Sequence, residues 1–342
     1  MHVSTFFPPE SDAPADEVEN PTPRRRHRGL AIALIALAVI VVGAMASAAL
    51  YVGSVDRTVD SNVQVGQDLP PEVPEDEGEE PRPPKVATDA VNYVIMGSDT
   101  GSAGRSDVLM VAHLAADRQS AALISFPRDM WVSIPGHGKN KINAAYAFGG
   151  PQLTVRTLEG LLKTRMDHTV QIDFEGFVQV TKDLGGVTVD NPHYSRSGEW
   201  EFPVGEITLE GDQALAYVRE RKQLPRGDLD RAERQRLVAQ AILEQALSPE
   251  TIANPLKFNR IVGSVAKQVT VDRGLTGSEM RKTALSVRFK PDDIASLQAP
   301  ISGFATRNGQ SVDLVDEAKL DELAEALRDD DLQSYLDRYP RS

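Results

Sequence analysis

The stretch VNYVIMGSDTGSAGRSDVLMVAHLAADRQSAALISFPRD, residues 91–129, contains three apolar runs that are separated by polar residues. These runs are VNYVIMG (Val91–Gly97), VLMVAHLA (Val108–Ala115) and AALISFP (Ala121–Pro127). Continuous apolar runs, without alternation, are typical of strands that are buried on both faces of a sheet. The residues between the second and third runs, ADRQS, are typical of a turn. The stretch therefore predicts the strands of a central sheet that is covered on both sides.

Helical and strand patterns alternate after this stretch. Pro151 can start a helix in PQLTVRTLEGLLKTRM, and Gly185-Gly186 can close a helix formed by FEGFVQVTKDLG. Thr276 and Glu279 form a plausible capping box for another helix. Interleaved strands and helices predict a single α/β domain with a central mixed sheet. The remaining predicted elements are the strands HTVQID, GVTVDN and SVDLVD and the helices LEGDQALAYVRER, DLDRAERQRLVAQAILEQAL and EAKLDELAEALRDD.

Composition excludes several classes of function. The chain has 342 residues, of which 41% are hydrophobic, so it can bury one large core or two modest ones. It has no cysteine, which excludes disulfides, thiolate nucleophiles and cysteine metal sites. Its formal net charge of -13 argues against a general binder of nucleic acid or anionic membranes. Any site for an anion must therefore be local.

The N-terminal region predicts a membrane anchor. Residues 1–29 form a polar tail that ends in a cluster of arginines, and Leu30–Val52 is apolar and uncharged. A run of this length spans a hydrocarbon core of about 30 Å as a helix. The arginines place the tail in the cytoplasm and the rest of the chain outside, at the cell membrane. A cleavable signal peptide is the alternative, because Ala44–Ala46 resembles a cleavage site, although its apolar region is usually shorter.

A linker is predicted between the membrane helix and the folded domain. Residues 53–89 are rich in proline and acidic residues and poor in apolar side chains. Such a chain gains too little from burial to offset the entropy of ordering, and proline favours extended conformations. We therefore expect a semi-rigid extracytoplasmic stalk over residues 53–89 and a folded domain over residues 90–342.

Polar residues concentrate just beyond the predicted strands, where ligands usually bind in α/β sheets. A guanidinium group binds phosphate oxygens through two parallel hydrogen bonds, and a carboxylate pair beside a diphosphate suits Mg²⁺. Asp99 and Asp107 flank a Gly/Ser-rich loop and are candidates for such a pair. The four polar segments are SDTGSAGRSD (Ser98–Asp107), PRD (Pro127–Asp129), GHGKNKIN (Gly136–Asn143) and YVRERKQLPRGDLDRAERQR (Tyr217–Arg236).

Each of these residues also has a structural interpretation. Aspartates in Gly/Ser-rich loops often form turns. Asp129 can simply pair with Arg128, Lys141 can lie on the surface, and Asn143 can cap a helix. The acids and arginines of Tyr217–Arg236 can pair at i,i+3 and i,i+4 along a solvated helix face. Residue type alone leaves both interpretations open.

Other catalytic chemistry receives little support. The sequence has no G-x-S-x-G motif and no kinase or P-loop glycine pattern. Its six histidines are scattered without ligand spacing, so no zinc site is expected. His113 lies inside an apolar run, where we expect a hydrogen-bonded core residue.

Six motifs, taken together, resemble a known family. In order, they are GSDT with GRSDVLMV, ISFPRDMWVSIP, KINAAYAFGG, IDFEGFVQVTKDLGGVTVDNP, LEGDQALAYVRERK and GDLDRAERQRLV. Their order and spacing resemble the LytR-CpsA-Psr family of Gram-positive cell-envelope enzymes, from about Ala90 to the C-terminal helices. The short tail, single membrane helix and outer domain also match that family's layout.

The resemblance implies a fold and an activity. The fold is a three-layer α/β/α domain with an apolar tunnel for a polyprenyl chain. The activity is a Mg²⁺- or Mn²⁺-dependent phosphotransfer that moves a glycopolymer from an undecaprenyl-type pyrophosphate carrier to peptidoglycan and forms a phosphodiester. The implied partners are the lipid-linked glycopolymer, peptidoglycan and the membrane, without nucleic acid.

The resemblance also implies site residues by motif. Asp99 and Asp107 are the implied metal ligands. The proton acceptor stays open between Asp107 and Asp129. The implied catalytic residues around the pyrophosphate are Arg105, Asp107, Arg128, Asp129, Arg219 and Arg221. The implied substrate-binding residues are Lys141, Asn143, Asp228, Arg231, Arg234 and Gln235.

Three other functions remain as alternatives. A pyrophosphatase would use the same residues with water as the nucleophile. A membrane-anchored regulator would use the arginine-rich helix to contact nucleic acid, but the predicted topology places that helix outside the cytoplasm. A non-catalytic module would only bind glycan.

Overall fold

A computed structural model describes residues 63–72, 81–85, 88–98, 106–246, 254–286, 288 and 294–339. The predicted tail and membrane helix and the loop residues 99–105 lie outside the described residues. Within the described ranges, no helix is both long enough and apolar enough to cross a membrane.

The elements of the described ranges alternate between strands and helices. The strands are β1 (Gln64–Val65), β2 (Val91–Ser98), β3 (Ser106–Leu114), β4 (Ala121–Ser125), β5 (Trp131–Ile134), β6 (Gly138–Lys141), β7 (His168–Asp173), β8 (Val187–Asn191), β9 (Ser195–Ser197), β10 (Trp200–Phe202), β11 (Gly205–Leu209), β12 (Val269–Val271), β13 (Ile294–Gln298), β14 (Ile301–Arg307) and β15 (Gln310–Val315). The helices are α1 (Ala144–Leu162), α2 (Phe174–Leu184), α3 (Gly211–Arg219), α4 (Asp228–Ala246), α5 (Pro255–Gln268), α6 (Gly277–Ser286), α7 (Glu317–Arg328) and α8 (Leu332–Arg338).

A seven-stranded mixed sheet forms the centre of the domain, in the order β1-β12-β7-β2-β3-β4-β13. The pairs β7 with β2 and β4 with β13 are parallel, whereas β3 is antiparallel to both of its neighbours. The carboxyl ends of β2, β4, β7 and β13 therefore lie along the same edge of the sheet. The three apolar runs predicted as strands are β2, β3 and β4, so this prediction is confirmed.

Each face of the sheet carries a separate hydrophobic core. Tyr93 and Ile95 of β2 pack with helices α2 to α6, whereas Val94 and Met96 of the same strand pack with α1, α7 and α8. Successive side chains of a strand point to opposite faces, so a continuous apolar run supplies both cores. Helices thus cover the mixed sheet on both faces, as predicted.

Several local predictions are confirmed. The helix α1 has a break at Gly149 and Gly150, and its second part begins at Pro151. Helix α2 ends at Leu184, and its last carbonyls accept hydrogen bonds from the N–H groups of Gly185 and Gly186. The Thr276 hydroxyl accepts the N–H of Glu279 at 3.2 Å, as expected for the cap of α6. Each of these signals is local, which is why the sequence alone could reveal it.

His113 is a hydrogen-bonded core residue, as expected. Its side chain is buried within β3. Its Nδ1 atom lies 2.8 Å from Asn92 Oδ1, and its Nε2 atom lies 2.8 Å from Asp330 Oδ1. Both ring nitrogens thus have hydrogen-bond partners inside the domain, which offsets the cost of burying them.

The structure differs from the expected stalk at residues 63–72 and 81–85. Gln64–Val65 adds a strand to the sheet beside β12, and Leu69 packs against the core that contains α1. Arg82 is 8% exposed and forms a buried ion pair with Glu159, with Nη2 and Oε1 2.6 Å apart. Arg82 also donates to the carbonyls of Pro70 and Met166. Average composition misses such pairing because one specific ion pair and a few backbone bonds hold the segment.

Candidate active site

The polar segments meet at the edge of the sheet where β2, β4 and β7 end. Ser98 at the end of β2 pairs with Ser106 at the start of β3 and with Asp173 at the end of β7. Between the pairs Gly97–Val108 and Ser98–Ser106, residue Asp107 is the extra residue of a β-bulge. Bulges are frequent next to active sites, where they redirect a strand. The loop with Asp99 and Arg105 lies outside the described residues, and the side chain of Asp107 is not described.

Lys141 and Asp129 are brought together by a hairpin. The polar segment Gly136–Asn143 contains the second strand of the hairpin β5–β6. The N–H of Asn143 donates to the carbonyl of Arg128 at 3.3 Å, which closes the hairpin against the residues that follow β4. As a result, Lys141 Nζ lies 2.7 Å from Asp129 Oδ1. Asn143 stands at the start of α1, but its side chain makes no capping hydrogen bond.

Asp228 is the centre of the site because three arginines converge on it. Its Oδ2 accepts from Arg128 Nε at 2.8 Å and from Arg231 Nη2 at 3.1 Å. Its Oδ1 accepts from Arg221 Nη1 at 3.2 Å. Burial opposes ionisation, but the positive charges of Arg231, Arg128 and Arg221 outweigh it and lower the pKa of Asp228 below its ordinary value.

These contacts form one continuous network. Arg128 lies between the two carboxylates, since its Nε is 2.8 Å from Asp228 and 3.9 Å from Asp129. We call the network the arginine–aspartate cluster. Its members are Arg128, Asp129, Lys141, Arg221, Asp228 and Arg231.

Arg219 lies at the same edge of the sheet but makes a different contact. Its guanidinium carbon is 3.9 Å from the centre of the Phe174 ring, and Phe174 directly follows β7. A guanidinium over an aromatic face is held by a cation–π interaction. Arg219 is therefore placed beside the carboxyl end of β7, next to β2.

Two predicted substrate-binding residues are directed into the domain. Arg234 is 1% exposed and donates to Ser195 Oγ, Asn191 Oδ1 and the carbonyl of His193. Its guanidinium carbon also lies 4.3 Å from the centre of the Tyr217 ring. The Nη1 and Nη2 donors of Arg234 thus join β8 and β9 to α4, and a substrate-binding role for Arg234 stays a prediction.

Gln235 has a similar structural contact. Its Nε2 donates to the carbonyl of Val218 at 3.3 Å, which links α4 to α3. Two other acids of this stretch, Asp230 and Glu233, both bind Arg226, which lies before the helix. Asp228 and Arg231 form one of the pairs that the spacing allows, at i,i+3.

Asp313 lies beside the cluster and was not predicted from the sequence. Its N–H donates to the carbonyl of Asp129 at 2.9 Å. Burial raises the pKa of Asp313 to about 6, the carboxylates of Asp129 and Asp228 add to this effect, and Lys141 and Arg128 oppose it. No motif marks Asp313, which lies in the strand β15 more than 80 residues after Asp228.

Arg236 is a second unpredicted charge near the cluster. Its Nη1 donates to Ser125 Oγ at 3.1 Å, at the end of β4. Burial lowers the pKa of Arg236 to about 10. Its position directly after Gln235 was the available signal, but spacing could not show that it reaches the sheet.

The arrangement can bind and orient phosphate groups. Among the described residues, no group of three or more histidine and acidic side chains could hold a metal ion. Four cationic side chains surround two carboxylates at the carboxyl edge of the α/β sheet, where ligands usually bind. This geometry defines the class of the protein: an α/β domain whose candidate site is cationic and suited to phosphate oxygens.

The comparisons with known proteins agree with this class. The model of the LytR_cpsA_psr family matches residues 52–329, and the chain belongs to this family. It is 34% identical over 243 residues to the Enterococcus faecalis protein named polyisoprenyl-teichoic acid–peptidoglycan teichoic acid transferase TagU, an alignment that covers 69% of this chain and 78% of that protein.

Solved structures show the same fold. The crystal structure of B. subtilis TagV has a TM-score of 0.60 and 30% identity, and the match covers 71% of this chain and 98% of that chain. A structure described as TagT bound to LI-WTA has a TM-score of 0.57 and 28% identity, and covers 71% of this chain and 90% of that chain. The resemblance predicted from the six motifs is thereby confirmed at the level of the family.

Proposed function

We propose that the protein is a membrane-anchored, extracytoplasmic phosphotransferase. It moves a glycopolymer from an undecaprenyl-type pyrophosphate carrier to peptidoglycan and forms a phosphodiester. The observation that carries the proposal is the convergence of Arg128, Arg221 and Arg231 on Asp228. The name of the E. faecalis relative, a teichoic acid–peptidoglycan transferase, supports the choice of donor and acceptor classes.

Asp228 holds the arginines together while no ligand is bound. Three guanidinium groups within a few ångströms repel one another, and the carboxylate offsets this repulsion. An arriving pyrophosphate would then find its hydrogen-bond donors already positioned. Such preorganisation is the main contribution that a protein makes to phosphoryl transfer, which needs little covalent help.

The reaction follows from this positioning. The oxygen of a sugar hydroxyl on the glycan strand forms a bond to the phosphorus attached to the glycopolymer. The bond from that phosphorus to the bridging oxygen breaks, and the prenyl phosphate leaves with the electron pair. The role of Arg128, Arg221 and Arg231 is to neutralise the negative charge on the phosphate oxygens as the bridging bond breaks.

We also propose that Asp99 and Asp107 bind Mg²⁺ or Mn²⁺. Carboxylate oxygens are the ligands that these cations prefer, and Asp107 occupies a bulge at the correct edge of the sheet. The bound cation would neutralise charge on the pyrophosphate. Anchoring by the apolar run Leu30–Val52 would keep the domain close to its lipid-linked donor.

The test is an analysis of products. The full chain is reconstituted in vesicles that contain a lipid-linked glycopolymer pyrophosphate, and peptidoglycan fragments are added with Mg²⁺. We expect polymer that is covalently attached to the glycan strand through a phosphodiester. Released polymer phosphate, without attachment to glycan, would identify a pyrophosphatase instead and overturn the proposed transfer.

A further inference from the structure

Asp313 is a buried carboxylate beside the arginine–aspartate cluster. Asp313 is 7% exposed. The N–H of Asp313 donates to the carbonyl of Asp129, and the neighbouring residue Met130 forms a parallel bridge with it. The backbone thus fixes Asp313 next to the residues that follow β4.

The three described carboxylates at this position differ in what they bind. Asp129 accepts a hydrogen bond from Lys141, and Asp228 accepts hydrogen bonds from three arginines. Among the hydrogen bonds and ion pairs of the described residues, the Asp313 carboxylate takes part in none. A charge-assisted hydrogen bond occupies a lone pair of the carboxylate that accepts it. Asp313 is therefore the carboxylate of this group that is best suited to accept a proton.

The carboxylate of Asp313 is not sealed from solvent. In the part of the chain that the structure describes, the side-chain atoms that are both sealed and unpaired belong to Thr169, Arg234, Arg236, Ser264 and Ser296. Asp313 is not among them, and the residue keeps 7% of its surface exposed to solvent. It can thus exchange a proton with a ligand in the site.

Four charged residues near Asp313 affect its ionisation. Asp129 and Arg128 precede β5, Lys141 ends β6, and Asp228 begins α4. Together with burial they raise the pKa of Asp313 to about 6. A group with this pKa is largely ionised at neutral pH and still basic enough to accept a proton in a transition state.

We propose that Asp313 accepts the proton of the attacking sugar hydroxyl. The proposal rests on the proposed transfer reaction. As the hydroxyl oxygen bonds to phosphorus, its proton moves to a carboxylate oxygen of Asp313, and the prenyl phosphate leaves with the electrons of the broken bond. The protonated Asp313 then returns its proton to solvent before the next cycle.

The experiment compares Asp313→Asn and Asp313→Glu with the control Asp321→Asn, which changes an exposed aspartate of α7. Transfer is measured in vesicles from pH 4.5 to pH 8, a range that brackets the raised pKa of Asp313 at about 6. Binding of polyprenyl pyrophosphate is measured in parallel. We expect D313N to lose about 100-fold or more in transfer rate and to bind the lipid as the wild type does.

The pH profile separates proton transfer from a structural role. The wild-type rate should rise with pH as Asp313 ionises near pH 6, and D313N should lack this rise. D313E should restore part of the rate together with the rise, and D321N should match the wild type throughout. A D313N enzyme that keeps the wild-type rate and the same rise would overturn the role of Asp313 alone.

Stability provides a second measurement. Because the pKa of Asp313 is raised in the folded state, its protonated side chain stabilises the folded protein relative to the unfolded chain. This contribution is complete below the ordinary aspartate pKa and is lost as the pH rises through about 6. D313N should therefore remove a fall in melting temperature between about pH 4 and pH 6, and it should fold at neutral pH.

A wild-type enzyme that makes no glycan-linked polymer would overturn the proposed transfer, and the role of Asp313 with it.

Discussion

The Nε atom of Arg128 donates to the Oδ2 atom of Asp228 at 2.8 Å, although 100 residues separate them in the chain. Arg128 follows strand β4 of the central sheet, and Asp228 starts the helix α4. The contact therefore joins the sheet to the helix layer at the edge where the polar segments meet. It also explains why a cluster of arginines can exist in the absence of a phosphate ligand.

Removing the charge of Asp228 should destabilise the protein in a way that an anion reverses. In D228N, three guanidinium groups lose their shared counter-ion, and we expect a lower melting temperature than that of the wild type. Added inorganic pyrophosphate should raise the melting temperature of D228N more than that of the wild type, because the anion replaces the carboxylate. An equal rise in melting temperature in both proteins would show that pyrophosphate does not take the place of the Asp228 carboxylate among the arginines.

The same residue predicts a dependence of stability on pH. The folded-state pKa of Asp228 is lowered, so its contribution is present above the ordinary aspartate pKa and is lost as the pH falls through the folded-state value. The wild type should therefore lose stability in acid, below about pH 4, more steeply than D228N does. Thermal melting over this pH range measures the difference.

The buried pair Arg82–Glu159 should hold residues 81–85 on the domain. Removing one partner leaves an unpaired buried charge, so R82A and E159A should each lower the free energy of unfolding by about 3–5 kcal/mol. The double variant R82M/E159L should recover much of this loss, because an apolar pair leaves no buried charge. Denaturant unfolding is the measurement. Additive losses in the double variant would contradict the coupling of the two residues.

Arg231 and Arg234 should differ although both fit the same motif. R234A should lower the free energy of unfolding, because it removes three hydrogen bonds, and should leave lipid-pyrophosphate affinity unchanged in the folded protein. R231A should weaken that affinity by about tenfold or more. Equilibrium unfolding and binding measured on both variants distinguish the roles. Loss of affinity in folded R234A would return it to the substrate-binding set.

The sequence predicted the sheet well because a strand that is buried on both faces has a continuous apolar run. The apolar runs of β2, β3 and β4 need side chains for two cores, and no other pattern supplies both. Glycine and proline signals located the break within α1 and the end of α2, since their backbone preferences are local. The first part of α1, which begins at Ala144, was not predicted. The hairpin β5–β6 was missed because its second strand, GKNK, is polar.

The site was only partly predictable because motifs do not show what each side chain binds. Arg231 and Arg234 look equivalent in the motif GDLDRAERQRLV. The partners of Arg234 are nevertheless Asn191, Ser195 and Tyr217, which no spacing rule connects to it. Asp313 reaches the cluster through a backbone hydrogen bond to Asp129, and only the tertiary structure shows that contact.

The affinity of the full chain for a polyprenyl pyrophosphate, measured in vesicles for the wild type, R128A and the control R260A, tests the central claim most directly. Arg260 is exposed on α5, which contacts α2 and β1 and holds no member of the cluster. If the arginines bind the pyrophosphate, R128A should weaken binding by about 10- to 100-fold, as expected for a lost charge-assisted hydrogen bond, and R260A should bind as the wild type does. Equal affinities for all three proteins would contradict a pyrophosphate site built on Arg128 and Asp228.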